Sequence, residues 1–374
     1  MERRERSLEK ILEVRRKGMF GGVYNKRRCL ITGNTGFKGS WLGFWLSQLG
    51  AQVCGVSLPA EKLSHFNLLE KNYETFFCDI RDLEKLKNIF STFQPEIVFH
   101  LAAQPLVRLS YREPVDTFSA NLMGTVNVLE CCRLTESVRS AVIITTDKCY
   151  ENPETGVPFK ESDPLGGYDP YSSSKAAAEI AVSSYNRSFF WPEGRVACAS
   201  ARAGNVIGGG DWAADRLIPD LVRGAVSGKV AKLRNPGAVR PWQHLLEPLS
   251  GYLWLGSRLF EEKEKFSGSW NFGPALSDTL TVGEVAERMN RFWDKMRFEY
   301  EEELNAPHEA ALLRLDCSKA AKELQWQGIW NAEKTIEYTV GWYRNFYENN
   351  TCLTADDLTR YCRDAEMQGA PWTR

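Results

Sequence analysis

From Arg28 onward the chain alternates short runs of apolar, often β-branched residues with longer stretches whose apolar positions recur every three or four residues. CLITG, AQVCGVSL, EIVFHLA, VIITT and VACASARAGNV read as buried strands. Between them the period predicts helices from Lys38 to Leu49, around Leu83 to Phe93, near Asp116 to Leu134 and from Ser172 to Phe189. Repeated in this way, the pattern predicts right-handed crossovers that gather the strands into one doubly wound parallel sheet with helices on both faces, an α/β fold. After Asn205 the rhythm breaks into loops rich in Gly, Trp and Pro (GGGDWAADR, NPGAVRPWQH), with helices between them and short strands near WNFG and RFEY. That break predicts a smaller lobe folded over the carboxyl edge of the sheet. The expected division is a flexible arm over 1–26, the sheet domain over 27–205, the lobe with returning segments over 206–350 and a tail over 351–374.

Composition narrows the function classes. With 374 residues and 43% hydrophobic content the chain can bury a large core. A net charge of -1 gives no electrostatic ground for binding nucleic acid or an anionic membrane surface, so any anionic partner is expected to be small. The ten cysteines are scattered without a C-x-x-C pair, and the four histidines, His65, His100, His244 and His308, are dispersed. Neither a disulfide framework nor a metal site is predicted, and a reducing cytoplasm fits. The first 26 residues are charged and lack the apolar centre of a secretory signal, and no run of about 18 apolar residues predicts a transmembrane helix.

Candidate chemistry begins at Thr32-Gly33-Asn34-Thr35-Gly36-Phe37-Lys38-Gly39, directly after a predicted strand and opening a predicted helix. Glycines there allow a tight turn and close approach of backbone N–H groups to a pyrophosphate, which the helix amino end also favours. The spacing G-x-x-G-x-x-G departs from G-x-G-x-x-G and resembles the extended short-chain dehydrogenase/reductase family. That resemblance implies a Rossmann-type sheet with a smaller C-terminal substrate-binding lobe. It also implies a nicotinamide cofactor held by Gly33, Thr35, Gly36, Phe37, Lys38 and Gly39, and an adenine-contacting turn at Asp79 and Ile80. Leu101, Ala102 and Ala103 of HLAAQ would form a loop against the cofactor, with Thr145 beside them and His100 structural. The second strand ends in Ser57-Leu58 where an acid is usual; with no arginine following, NAD is expected rather than NADP.

Tyr171-Ser172-Ser173-Ser174-Lys175 puts a phenol and an ammonium four residues apart, on one helix face. A nearby cation favours phenolate, which can take a proton from a hydroxyl while hydride leaves its carbon. With HLAAQPLVRLSY, TTDKCYENPETG, GGYDPYSSSK, ARAGNVIGGGDWAADR and RPWQHLLEPLSGYLWL, the chain resembles the CDP-glucose branch of the family's nucleotide-sugar dehydratases. In dTDP- and GDP-sugar relatives the strand end carries an acid pair, whereas the CDP-glucose branch has Asp-Lys, here Asp147-Lys148.

The resemblance implies oxidation at C4 by Tyr171, Lys175 and Thr146, then elimination across C5 and C6 with Lys148 as base and Asp147 as acid. Hydride then returns to C6, in deoxysugar synthesis for surface polysaccharide. Neighbours on a regular strand point to opposite faces, so both Asp147 and Lys148 can face one sugar only if the strand breaks at Thr146. The implied substrate contacts are Gln104, Arg108, Asn121, Asn205, Asp211, Arg216, Arg234, Arg240, His244 and His308. A 4-epimerase or a dehydratase for another base is the same-class alternative, and Lys148 argues against both; a silent NAD-binding scaffold would lack Tyr171 or Lys175. The apolar helical stretches over 116–134 and 172–189 suit a homodimer or homotetramer.

Overall fold

The computed structural model describes residues 18–276, 278–301 and 312–374. Seven strands share one sheet: β1 (Arg28–Thr32), β2 (Gln52–Ser57), β3 (Glu74–Phe77), β4 (Ile97–His100), β5 (Ser140–Ile144), β6 (Ala197–Ala203) and β7 (Gly268–Phe272). Their order is β7-β6-β5-β4-β1-β2-β3, with every neighbouring pair parallel. This is the doubly wound, Rossmann-type α/β sheet that the sequence predicts. Cys29 and Ile31 of β1, Phe99 of β4 and Val142 and Ile144 of β5 enter one core, while Leu30, Val98, Ala141 and Ile143 enter the other. Both faces are therefore dry, which is why these strands are apolar at consecutive positions. The strand order reverses between β1 and β4, so the loops that follow them diverge and open a crevice at the carboxyl edge.

The flanking helices are α1 (Phe37–Gln48), α2 (Leu83–Phe93), α3 (Gly124–Leu134), α4 (Pro170–Tyr185), α5 (Leu246–Glu262), α6 (Ala332–Asn349) and α7 (Thr354–Met367). The helical stretch expected near Asp116 enters α3 through a wider π turn over Ser119–Met123, and α4 runs on through another over Asn186–Phe190. Beyond β6, short pairings join Val206–Ile207 to Gln243–His244, Val239–Arg240 to Leu280–Thr281 and Ala231–Leu233 to Phe298–Tyr300. The run at WNFG, which the sequence suggested as a late strand after the break, is β7 and lies beside β6 in the main sheet. Among the described residues no helix is long and apolar enough to cross a membrane.

The two chain ends correct the sequence reading. Residues 1–17 of the expected arm lie outside the described residues, but its last part is packed: Phe20 is fully buried and stacks on Trp372 with ring centroids 5.1 Å apart. Tyr24 donates its hydroxyl proton to the Leu253 carbonyl at 2.5 Å, and the Gly21 N–H donates to the Arg374 carbonyl at 2.8 Å. The expected tail over 351–374 is likewise built in, through α7 and the buried Trp372. Burial of three aromatic rings against one another is the physical reason, and the partners stand some 350 residues apart in sequence, beyond the reach of any local pattern.

Three buried histidines make the fold sensitive to acid. His65 bridges the Ser40 hydroxyl at 2.8 Å and the Thr354 hydroxyl at 2.7 Å, and His100 bridges Thr32 and Thr125 at 2.7 and 3.0 Å. Burial pushes His65, His100 and His244 from 6.5 down to about 3. The fold thus accepts the neutral ring, and the stability each supplies is complete above pH 6.5 and is lost progressively as pH falls toward 3. Each such group adds about 1.4 kcal/mol per pH unit to the slope. Buried Glu247, pushed up to about 7, slopes the opposite way, so the informative quantity is a difference. Urea unfolding between pH 6 and pH 4 should show His65→Gln losing stability less steeply than the parent by about that one-proton slope; parallel slopes would refute the assignment.

Candidate active site

The crevice is a cleft of ≈ 1070 Å³ that reaches from the glycine turn after β1, past the ends of β4 and β5, to the loops around Arg234 and Arg240. At its first end Gly33 has φ +76 and lies so close to the loop after β4 that a Cβ would stand 2.7 Å from the Ala102 nitrogen. A Cβ on Gly39 would stand 2.1 Å from the Gly33 carbonyl oxygen. The turn therefore brings bare backbone to the cleft, and no side chain caps the first turn of α1, so its N–H groups are left for an anion. The Ser57 hydroxyl shares a hydrogen bond with the Thr35 hydroxyl at 2.6 Å, which makes the end of β2 neutral where an acid was expected. Asp79 accepts from the Arg81 backbone at 2.9 Å and from its guanidinium, and Asp82 caps α2 by accepting from the Lys85 N–H at 3.0 Å. Gly36, Phe37, Lys38, Ile80, Leu101, Ala103 and Thr145 also line this cleft.

At the other end the chain leaves the sheet abruptly. β5 stops at Ile144, and Asp147–Cys149 form a single 3-10 turn with Thr146 as its cap, accepting from the Lys148 N–H at 3.3 Å. The strand does break at Thr146, and the break turns Asp147 and Lys148 toward one another. The Lys148 ammonium is 3.6 Å from Asp147 Oδ1 and donates to Asn205 Oδ1 at 3.4 Å, while the Thr146 hydroxyl donates to Asp147 Oδ1 at 3.0 Å.

Facing this turn is the start of α4. Asp169 caps it by accepting from the Ser172 N–H at 3.0 Å, and Tyr171 and Lys175 follow on the face toward the cleft. The Lys175 ammonium donates to the Ile144 carbonyl at 3.1 Å, and burial pushes it down to about 8. Burial pushes the Tyr171 phenol up to about 12, with the Thr146 hydroxyl pulling the other way.

Behind these residues lies a buried network that the sequence reading missed. Glu179, one turn beyond Lys175, accepts from the Thr145 hydroxyl, from Ser200 at 2.6 Å and from the Arg202 guanidinium at 2.8 Å. Arg202 also donates to the Tyr150 hydroxyl at 2.7 Å, so this arginine belongs to the core. The available signal was a lone acid amid AAAEIA, on the same helical face as Lys175.

Of the expected substrate contacts, Gln104, Arg108, Asn205, Asp211, Arg216, Arg234 and Arg240 line the cleft. Arg216 is held by Asp211 at 2.8 Å and Arg234 by Asp215 at 3.4 Å. Two others are corrected. Asn121 is buried and spends its amide on the Gln104 backbone and the Ser174 hydroxyl, at 2.8 to 3.0 Å, because the loop after β4 needs a polar clamp to α4. His244 is buried edge-on to Trp41 and Trp330, and its Nδ1 accepts from the Leu246 N–H at 3.3 Å, so it is a core residue. His308 lies outside the described residues.

Comparison with known proteins places this geometry. A family model described as GDP-mannose 4,6 dehydratase matches residues 30–339. The chain is 48% identical over 334 residues, 87% of its own length and 93% of the other's, to a protein of Salmonella typhimurium named CDP-glucose 4,6-dehydratase. Among solved structures it resembles a UDP-glucose 4-epimerase of Thermus thermophilus in complex with NAD, at 25% identity and a TM-score of 0.73 over 85% of this chain and 99% of that one. It also resembles a dTDP-glucose 4,6-dehydratase of Streptomyces venezuelae in fold, at 22% identity and a TM-score of 0.72 over 87% of this chain and 100% of that one. With a glycine cradle and a Tyr-Lys helix facing one cleft, and a match spanning most of its length, the chain belongs to the GDP-mannose 4,6 dehydratase family.

Proposed function

We propose that this chain converts CDP-glucose to CDP-4-dehydro-6-deoxyglucose and water with NAD as a recycled cofactor. The observation that carries the reading is the 3-10 turn after β5, which presents Thr146 and Lys148 opposite Tyr171 and Lys175 in a cleft whose far end is a phosphate cradle, with Asp147 buried against Lys148 at 3.6 Å. The identity to a protein named for CDP-glucose supports the base preference. Gly33 and Gly39 fit a dinucleotide, since without a Cβ the turn packs closely on Ala102 and on itself and its backbone lines the cleft at the amino end of α1. Bound NAD would accept hydride from C4 of the sugar and give it back at C6.

The remaining steps belong to this chain's own groups. Tyr171 takes the proton of the C4 hydroxyl while the Thr146 hydroxyl holds the same oxygen, and the Thr146 hydrogen bond and the Arg216 charge favour the phenolate against the effect of burial. The resulting ketone acidifies C5. Lys148 in its neutral form removes that proton, and Asp147 delivers one to the C6 hydroxyl as it departs; at 3.6 Å the two can serve adjacent carbons. Asn205 orients the Lys148 nitrogen, while Arg216, Arg234 and Arg240, with Arg108, Gln104 and Asp211, supply the polar wall for the nucleotide diphosphate. The protein would act in the cytoplasm in deoxysugar synthesis for surface polysaccharide. Exposed Val115, Met123, Leu134 and Ile180 support pairing of outer helices in a homodimer or homotetramer.

Incubation with CDP-, dTDP-, GDP- and UDP-glucose should give a 4-keto-6-deoxy product, read as loss of one water by mass, fastest from the cytidine sugar and with no net accumulation of NADH. Preference for another base would overturn the assignment. Tyr171→Phe should abolish oxidation while sugar-nucleotide affinity stays nearly intact, because the hydroxyl acts in the transition state; equal loss of both would make Tyr171 a structural contact. Lys148→Met should leave the first hydride transfer in place and slow elimination by roughly 10²–10⁴-fold, the usual contribution of a general base. Mixing it with CDP-glucose should then raise reduced-nicotinamide absorbance while solvent deuterium fails to enter C5. Near-normal product formation would return Lys148 to an ordinary ion pair.

A further inference from the structure

The carboxyl ends of β5 and β6 are locked together: Ile144 is in register with Ala201, and the Thr145 N–H donates to the Ala201 carbonyl at 3.0 Å. β7 pairs with the other side of β6 as far as Ala203, so the next residue, Gly204, is fixed in place by the sheet. Gly204 lines the cleft, and the buried Asp147 carboxyl lies directly against it. A Cβ on Gly204 would stand 2.8 Å from Asp147 Oδ2 and 2.7 Å from Pro241 Cγ, both well inside ordinary van der Waals contact. Pro241 is itself buried, so the carboxyl is the group that would have to move. The backbone does not demand a glycine here, since its φ lies outside the left-handed region; the space does. The other Asp147 oxygen accepts from the Thr146 hydroxyl at 3.0 Å and stands 3.6 Å from Lys148 Nζ. That ammonium donates at 3.4 Å to Asn205, the residue after Gly204, so consecutive residues at one strand end back the acid and the base.

We infer that Gly204 is a positioning residue for the elimination: by having no side chain it lets the Asp147 carboxyl lie at the cleft wall, within reach of the departing C6 hydroxyl, while Lys148 serves C5. The inference rests on the dehydration reading above. The step balances: the C5–H bond breaks, its proton goes to Lys148 and its electron pair forms the C5–C6 double bond. The C6–O bond breaks at the same time, and the hydroxyl leaves as water with the Asp147 proton. C4 oxidation comes earlier and uses Tyr171 and Thr146, neither of which is among the atoms nearest the space at Gly204. A carboxyl displaced by a fraction of an ångström from its working position is enough to slow proton delivery about tenfold or more.

Rapid mixing of the full chain, loaded with NAD, with CDP-glucose separates the two steps: reduced-nicotinamide absorbance follows C4 oxidation, and mass loss of one water follows elimination. Gly204→Ala should form NADH at the parent rate and slow elimination about tenfold or more, so that NADH accumulates where the parent shows none. In Asp147→Asn elimination is already slow, and adding Gly204→Ala should slow it no further, because the glycine acts through that carboxyl. A second tenfold loss on top of Asp147→Asn would make Gly204 a general packing residue and overturn the inference. So would equal loss of both steps in Gly204→Ala alone, or loss of neither. Failure of the parent chain to dehydrate CDP-glucose is a separate outcome, which overturns the dehydration reading and this inference with it.

Discussion

One attachment sets the geometry of the site: α4 is fastened to the end of β5 by two of its own charged residues. Lys175 donates to the Ile144 carbonyl, and Glu179, one turn on, gathers Thr145, Ser200 and Arg202. The first bond satisfies a carbonyl at the place where the sheet ladder stops. The second ties the helix to β5 and β6 together. Tyr171 is on the same helical face, so its phenol is placed against Thr146 by contacts made below it. Removing Glu179 would leave Arg202 buried without its counter-charge, a loss on the order of 3–5 kcal/mol, so the network cannot be relaxed one member at a time.

The abrupt end of β5 is the second constraint, and it follows from the first. A strand continued through Asp147 would send neighbouring side chains to opposite faces. The Thr146 cap converts the chain to a 3-10 turn within two residues, and Asp147 and Lys148 come within 3.6 Å of each other. Cofactor end and reacting end are then related by the sheet itself: the glycine turn follows β1, the acid and amine follow β5, and β4 between them is in parallel register with both. Short loops at the same edge of one parallel sheet, two strands apart, thus hold the two chemistries at a fixed separation.

The chain ends serve the same rigidity from the opposite side of the core. Phe20, Trp45, Tyr361 and Trp372 pack ring on ring, and His65 joins α1 to α7 through Ser40 and Thr354. Because α1 opens with the glycine turn, this packing steadies the phosphate cradle from its far end. Glu247 adds a further clamp, accepting from the Ile329 and Trp330 N–H groups and the Tyr361 hydroxyl, so that α5 is tied to the segment leading into α6 and to α7.

What the sequence by itself determined is what depends on neighbours along the chain. Strands buried on both faces must be apolar at every position, the glycine spacing is imposed by a turn of a few residues, and Tyr171 and Lys175 share a face because a helix has 3.6 residues per turn. Those elements were legible, and so was the need for a break at Thr146. Tertiary structure decided the fate of polar and aromatic residues whose partners are remote. Asn121 and His244 have the same donors and acceptors whether they meet substrate or backbone, and only the packing of Gln104, Ser174, Trp41 and Trp330 around them settles which. Phe20 looked like part of a loose arm because its stacking partner, Trp372, is at the far end of the chain. Local sequence specifies backbone conformation; the side of the boundary between core and cleft on which a polar group falls is a property of the whole fold.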